Sequence, residues 1–88
     1  MVDLKEFYET FNLNRKLFGR IAHISPKALK KYEDEEKLRY TTEHKIERAV
    51  YIIEDYELEC PKYENKKDVL YNASIEICES ILREKGVF

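Results

Sequence analysis

Turn-forming residues are scarce in this chain, whose 88 residues include only two glycines and two prolines. The segments between its apolar patterns lack the Asn-Gly and Asp-Gly pairs that close β-hairpins. Apolar residues instead recur at the three- and four-residue spacing of an amphipathic helix wherever a pattern is long enough to count. The sequence therefore predicts an all-α fold, with no internal repeat.

Apolar spacing and capping residues together predict the limits of the helices. The expected helices span about 3–11, 14–23, 26–35, 42–56 and 65–86. Ser25-Pro26 gives the clearest start signal, because serine caps a helix and proline suits its first position, where no backbone N–H is needed. The other expected N-caps are Asp3, Asn14, Thr41 or Thr42, and Asn65.

Several functional classes are disfavoured by composition. The longest apolar stretches are far shorter than the roughly 20 residues of a membrane span, so we expect a cytoplasmic protein with no membrane contact. The two cysteines and two histidines lack metal-site spacing, and no signal segment favours a disulfide, so we expect free thiols, no metal and no cofactor. Neither histidine has a nucleophile and acid at a recognisable spacing. We therefore expect no enzyme.

Positive charge is concentrated in one part of the chain. Residues 11–32 contain six Lys or Arg and no Asp or Glu, although the whole chain has a net charge of −2. The other 66 residues consequently carry a net charge of −8. Such segregation indicates one surface suited to a polyanion, and nucleic acid is the first candidate.

The order of the helices gives this basic segment a structural context. Two short helices separated by His23-Ile24-Ser25 match the helix-turn-helix unit, whose second helix enters the major groove of DNA. The stretch LNRKLFGRIAHISPKALKKYE, residues 13–33, resembles the core motif of the phage repressor/Cro-type helix-turn-helix family. Gly19 occupies the family's small-residue position, and the resemblance extends over about residues 3–53. It implies a repressor-like domain of about four helices. The additional C-terminal helix is predicted from its own apolar spacing and has no counterpart in that family.

Two departures from the family pattern carry their own expectations. His23 replaces the frequent turn glycine, so this residue is expected in a left-handed or adjusted conformation. Pro26 replaces a base-reading polar residue, so hydrogen-bond readout of a base at that position is expected to be lost.

A second resemblance, of residues 24–38, is to mercury-resistance-type winged-helix regulators. It ranks lower because those proteins need a strand-and-turn wing, whereas residues 42–56 predict a helix.

Motif and charge together predict which residues touch double-stranded DNA. The recognition helix is expected at about 26–35, with Lys27 and Lys31 facing base edges and Arg15 and Lys16 holding phosphate near a positive helix end. The complete predicted DNA-binding set is Asn14, Arg15, Lys16, Arg20, Ser25, Lys27, Ala28, Lys30 and Lys31. Lys37 and Arg39 are equally consistent with phosphate contact and with balancing the neighbouring acids.

The chain is therefore divided into a helix-turn-helix DNA-binding domain, residues 1–56, and a C-terminal helical extension, residues 57–88, for packing or dimerisation. The apolar stripe expected on the last helix comprises Val69, Leu70, Ala73, Ile77, Ile81 and Leu82. Four of these residues are assigned to a homodimer interface: Leu70, Ala73, Ile77 and Ile81.

The predicted function is a sequence-specific transcriptional regulator, such as a repressor, of small phage or mobile-element type. The alternative is a protein-binding module that uses the same scaffold, as in a phage inhibitor or an antitoxin. The acidic residues 34–36 and the net charge of −8 outside the motif support that alternative.

Overall fold

Five α-helices form the regular structure of the chain in a computed structural model that describes residues 2–58 and 69–88. The helices are α1 Leu4–Phe11, α2 Arg15–Ala22, α3 Pro26–Glu33, α4 Tyr40–Asp55 and α5 Val69–Glu84. The described ranges contain no β-strand. The prediction of an all-α fold is confirmed.

The first three helices begin at the predicted caps. The Asp3 carboxylate accepts hydrogen bonds from the first-turn backbone N–H groups of α1, at 3.1 and 3.2 Å. Asn14 Oδ1 accepts from Leu17 N at 2.8 Å, and Ser25 Oγ accepts from Ala28 N at 3.2 Å. Each side chain satisfies backbone donors that have no partner within the helix, which is why these residue types mark the helix starts.

Two predicted boundaries are wrong. The N-cap of α4 is Arg39 rather than a threonine: the Arg39 carbonyl accepts from Glu43 N at 3.0 Å, so helical hydrogen bonding starts before Thr41 and Thr42. Helix α3 ends at Glu33 rather than at 35, because Glu35 has a left-handed φ of 58° that no regular helix continues through. The cap predicted at Asn65 lies outside the described residues.

The core forms where one face of each helix turns inward. The Phe7 and Phe18 rings meet edge to face with centroids 5.2 Å apart, which joins α1 to α2. Helix α2 also contacts α3 and α5, and α3 contacts α4. The side chains with no more than 1 % exposure on α2 to α5 include Phe18, Ile21, Leu29, Tyr32, Ile46, Val50, Ile53, Ile75, Cys78 and Leu82.

The buried face of α5 differs from the predicted stripe. Its core residues are Tyr71, Ile75, Cys78 and Leu82, so only Leu82 of the predicted stripe is confirmed as buried. Ile77 is 59 % exposed, and Ala73 and Ile81 are half-buried. The side chains of Val69 and Leu70 lie outside the described part. Apolar residues occupy most sides of this helix, so periodicity alone could not select the core-facing side.

No helix within the described ranges is both long and apolar enough to cross a membrane. After α5 the chain turns at Gly86, whose φ of 80° suits glycine. Val87 N then bonds the Leu82 carbonyl at 2.9 Å, and the Val87 side chain is buried. The Phe88 ring stacks on His23 with centroids 3.9 Å apart, so the end of the chain covers the connection between α2 and α3.

Candidate nucleic-acid interface

The connection between α2 and α3 is closed by hydrogen bonds to one carbonyl. The backbone N–H groups of His23 and Ile24 both donate to Gly19 O, the latter at 2.9 Å. His23 has φ 56° and ψ 47°, so of the two conformations expected for it, left-handed or adjusted, it adopts the left-handed one. A Cβ atom at position 19 would lie only 2.6 Å from Ile24 O. Glycine therefore allows α2 to approach the connection this closely.

Helix α3 buries one face and carries three lysines outside it, of which Lys27 and Lys30 are exposed and Lys31 is half-buried. Leu29 and Tyr32 point into the core, with 0 % and 1 % exposure. Lys27 and Lys31 are four residues apart, and positions with this spacing share one side of a helix. Lys30 lies 3.6 Å from Asp34 in an exposed ion pair, an interaction that water screens strongly.

A groove of about 430 Å³ lies between α3 and the segment that enters α4. We call it the cationic groove because four of its eight lining residues are Lys or Arg and none of the described lining is acidic. Helix α3 and its cap supply Ser25, Lys27, Ala28 and Lys31, and the α4 side supplies Lys37, Leu38, Arg39 and Thr42. Positive charge from two segments of the chain is therefore collected along one concavity.

Four of the nine predicted DNA-binding residues line the cationic groove. The other five lie outside its lining: Asn14, Arg15, Lys16, Arg20 and Lys30. Lys16 and Arg20 are exposed on α2 and remain available to a ligand that extends beyond the groove.

From the sequence, Lys37 and Arg39 are undecided between phosphate contact and charge balance, and Thr42 is expected only as a possible helix cap. The structure places all three on the groove. The available signal was the pair of basic residues that follows the acidic run. It could not be interpreted further, because the connection from 34 to 39 has no periodicity that shows which way its side chains face.

The acidic residues after α3 do not line the cationic groove. Glu33 is turned toward Arg15, and Asp34 lies against Lys30. Glu35 lines a separate cavity of about 260 Å³ beside the start of α1. The negative charge that follows α3 in sequence is therefore absent from the described lining of the groove.

Arg15 has an internal partner that the sequence spacing did not indicate. Its Nε donates to Glu33 Oε2 at 2.9 Å and its Nη2 to Glu33 Oε1 at 2.8 Å, while the Tyr8 hydroxyl donates to Glu33 Oε2 at 3.2 Å. The hydrogen bonds from Arg15 lower the pKa of the Glu33 carboxyl. Burial, followed by the nearby Glu33 charge, raises the pKa of Tyr8. Arg15 therefore links the ends of α2 and α3, and phosphate contact by Arg15 stays a prediction.

Metal chemistry has no candidate centre in the described part of the chain, where no group of three or more His, Cys, Asp or Glu residues is placed to hold an ion. Cys78 is buried among apolar side chains. Cys60 lies outside the described residues, so the expectation that both cysteines are free thiols stays a prediction.

Comparison of the chain with protein family models, with curated proteins and with solved structures gave no significant match. The resemblance to the repressor/Cro-type family therefore stays a prediction from the motif in residues 13–33. The geometry and charge of the cationic groove are the features of the described chain that bear on its function.

Proposed function

We propose that this chain is a sequence-specific DNA-binding transcriptional regulator that docks α3 and the cationic groove on a duplex. The observation that carries the proposal is the lining of the groove, in which four basic side chains from two segments occur without a described acid. A duplex presents closely spaced phosphates, and each phosphate neutralised by Lys or Arg releases condensed counterions. This provides affinity for any sequence.

Sequence preference is assigned to the exposed face of α3. Lys27 and Lys31 project from one side of this helix, near its Ser25 cap and the half-buried Ala28. In the major groove, lysine donates to guanine O6 and N7, and a small apolar side chain accommodates a thymine methyl group. In this proposal α3 is therefore the recognition helix, and Lys27 and Lys31 are its base-edge residues.

The start of α4 is assigned to the phosphate backbone. Lys37 and Arg39 lead into this helix, and its first turn contributes Thr42 to the groove. The structure gives α4 no side-chain N-cap hydrogen bond, so the partial positive charge of its first N–H groups is directed to the surroundings. This dipole adds to the four full charges, which supply most of the attraction.

The test is selection from a pool of random duplexes, followed by affinity measurements on the enriched site at several salt concentrations. We compare the unmodified chain with Lys27→Ala/Lys31→Ala and with each single variant. The matched control is Lys5→Ala, which removes the same charge from the exposed side of α1. Each groove lysine is expected to account for a salt slope of about 0.9, and the control for much less.

The outcomes separate this proposal from the alternative. An enriched site that is lost in the double variant supports a specific regulator. No enrichment, or binding that responds equally to Lys5→Ala and to the groove variants, contradicts it and favours the protein-binding module of the same scaffold. No chemical reaction forms part of either function.

A further inference from the structure

A second concave surface lies on the outer side of α4, apart from the cationic groove. It has a volume of about 420 Å³, lies between α4 and the end of α5, and includes Glu47, Arg48, Tyr51, Asp55, Tyr56 and Lys85. We call it the α4 face. Tyr51 and Tyr56 are 52 % and 55 % exposed there. Partly exposed tyrosines are enriched at protein interfaces, because they combine large contact area with a hydroxyl that tolerates water.

One end of the α4 face is held by contacts between α4 and the end of α5. Arg48 Nη2 donates to the Lys85 carbonyl at 2.6 Å. The Nζ atom of Lys85 lies 4.8 Å from the centroid of the Tyr56 ring, which joins the end of α5 to α4 a second time. Because these contacts already hold Arg48 and Tyr56, fewer side chains of the α4 face must be ordered when a partner binds, and binding costs less conformational entropy.

The charges of the α4 face distinguish it from the cationic groove. It carries two acids, Glu47 and Asp55, and two bases, Arg48 and Lys85, and His44 also lines it. Such a balanced surface does not suit a polyanion. It suits a protein partner that presents both signs in matching positions.

We propose that the α4 face binds a second copy of this chain, with the two α4 helices antiparallel about a two-fold axis between Tyr51 and Ile52. Positions equally far from such an axis lie opposite each other, so Arg48 of each copy faces Asp55 of the other. Symmetry makes this ion pair twice. The two Tyr51 side chains meet beside the axis and supply the apolar centre of the contact.

The outer side of α5, where the sequence predicts the dimer interface, is less suited than the α4 face to a contact between two copies. Among the described side chains of α5, Ile77 is the only large apolar residue that is exposed, and the exposed Glu76 precedes it. An isologous contact centred on Ile77 therefore has little apolar area and brings the two copies of Glu76 close together. The α4 face instead exposes two tyrosines, and its opposite charges are offset along the helix.

The test measures the oligomeric state by sedimentation equilibrium in the absence of DNA. This assay is independent of the proposed function, and Lys27→Ala/Lys31→Ala is expected to leave the dimer intact even if DNA binding fails. Arg48→Asp and Asp55→Arg each turn two attractions into two repulsions. Each is expected to raise the dimer dissociation constant by about tenfold or more. The combined Arg48→Asp/Asp55→Arg variant restores complementarity and is expected to recover most of the loss.

Replacing Arg48 also removes its hydrogen bond to Lys85, so two further variants test the interface without disturbing that bond. Tyr51→Ala leaves that bond in place and is expected to weaken the dimer. Ile77→Glu alters the outer side of α5 and is expected to leave it unchanged. The proposal is overturned if the unmodified chain is monomeric at 100-fold the concentration used for DNA binding, if Tyr51→Ala has no effect, or if Ile77→Glu alone dissociates the dimer.

Discussion

The Arg15 guanidinium holds the Glu33 carboxylate through two hydrogen bonds, of 2.9 Å from Nε and 2.8 Å from Nη2. This pair connects the first residue of α2 to the last residue of α3. Gly19 and Ile24 bring the same two helices together at their connection. The orientation of α3 is thus constrained at both ends. The Tyr8 hydroxyl, which donates to the same carboxylate, extends this constraint to α1.

The ion pair predicts a specific loss of stability in acid. The folded state lowers the pKa of Glu33 below its ordinary value of 4.5, because Arg15 hydrogen-bonds the ionised form. A lowered folded pKa stabilises the protein above the unfolded pKa, and that contribution disappears as pH falls through the folded pKa. Glu33→Gln keeps the shape of the side chain without its charge. The stability advantage of the unmodified chain over this variant should therefore shrink from pH 6 to pH 3.

Urea unfolding followed by circular dichroism at several pH values measures this difference. Glu36→Gln, at an exposed acid close by, is the control and should change stability little at any pH. If the stability advantage of the unmodified chain over Glu33→Gln stays constant down to pH 3, then the charge of the Glu33 carboxylate contributes nothing to the free energy of unfolding.

Gly19 provides a test in which two physical effects have opposite signs. Helix propensity alone predicts that Gly19→Ala stabilises α2 by about 0.5–1 kcal/mol. The added Cβ would lie 2.6 Å from Ile24 O, a backbone atom that cannot move without opening the connection to α3. We expect this clash to dominate and to destabilise the protein by about 1–3 kcal/mol.

Chemical denaturation at neutral pH measures the sign directly. Ser80→Ala, on the exposed side of α5, is the control that reports helix propensity without a close backbone neighbour. If Gly19→Ala stabilises the protein as well, then α2 does not lie this close to the Ile24 carbonyl.

His23 combines an unfavourable backbone with a favourable ring contact. Its φ of 56° favours His23→Gly by about 1 kcal/mol, whereas the ring stacked on Phe88 at 3.9 Å opposes this substitution. In a Phe88→Ala background the ring contact is already gone. We therefore expect His23→Gly to stabilise that background clearly more than it stabilises the unmodified chain.

A double-mutant cycle on thermal and urea unfolding separates these two contributions. Equal effects of His23→Gly in the two backgrounds would mean that the stacked rings contribute nothing to stability. In that case Phe88 would have no part in holding the end of the chain against the connection between α2 and α3.

Local chemistry made the first three helices predictable from sequence. Asp3, Asn14 and Ser25 each bond an N–H group within three residues, so the whole interaction is present in a short stretch of sequence. The same holds for Lys27 and Lys31, whose spacing places them on one side of α3 in any helix.

Interactions between distant residues were not predictable in the same way. Arg15 and Glu33 are 18 positions apart, and nothing in their separation favours this pair over Arg15 with another acid. The buried side of α5 depends on how the helix is rotated against α2, and its many apolar residues permit several rotations. Arg39 was missed as a cap because the structure uses its extended backbone and carbonyl rather than a capping side chain.

The division of labour proposed for the cationic groove predicts two distinct classes of DNA-binding variant. Lys37→Ala/Arg39→Ala removes two charges that we assign to phosphate contact, so affinity should fall similarly for every duplex and the salt slope should decrease by about 2. Because phosphates carry no base identity, the preferred sequence should stay the same. Lys27→Ala and Lys31→Ala should instead reduce the preference for particular bases, by about 1–3 kcal/mol of discrimination where a good contact is lost.

Selection and salt titration on both classes of variant measure this distinction, with circular dichroism as a check that α4 still forms when Arg39 is replaced. A changed sequence preference in Lys37→Ala/Arg39→Ala would place the α4 side of the groove at the bases. Unchanged affinity in that variant would remove it from the interface and leave α3 as the contact surface. The predicted uniform loss of affinity would show that the two sides of the groove have different roles. The start of α4 would bind the phosphate backbone, and α3 would recognise the bases.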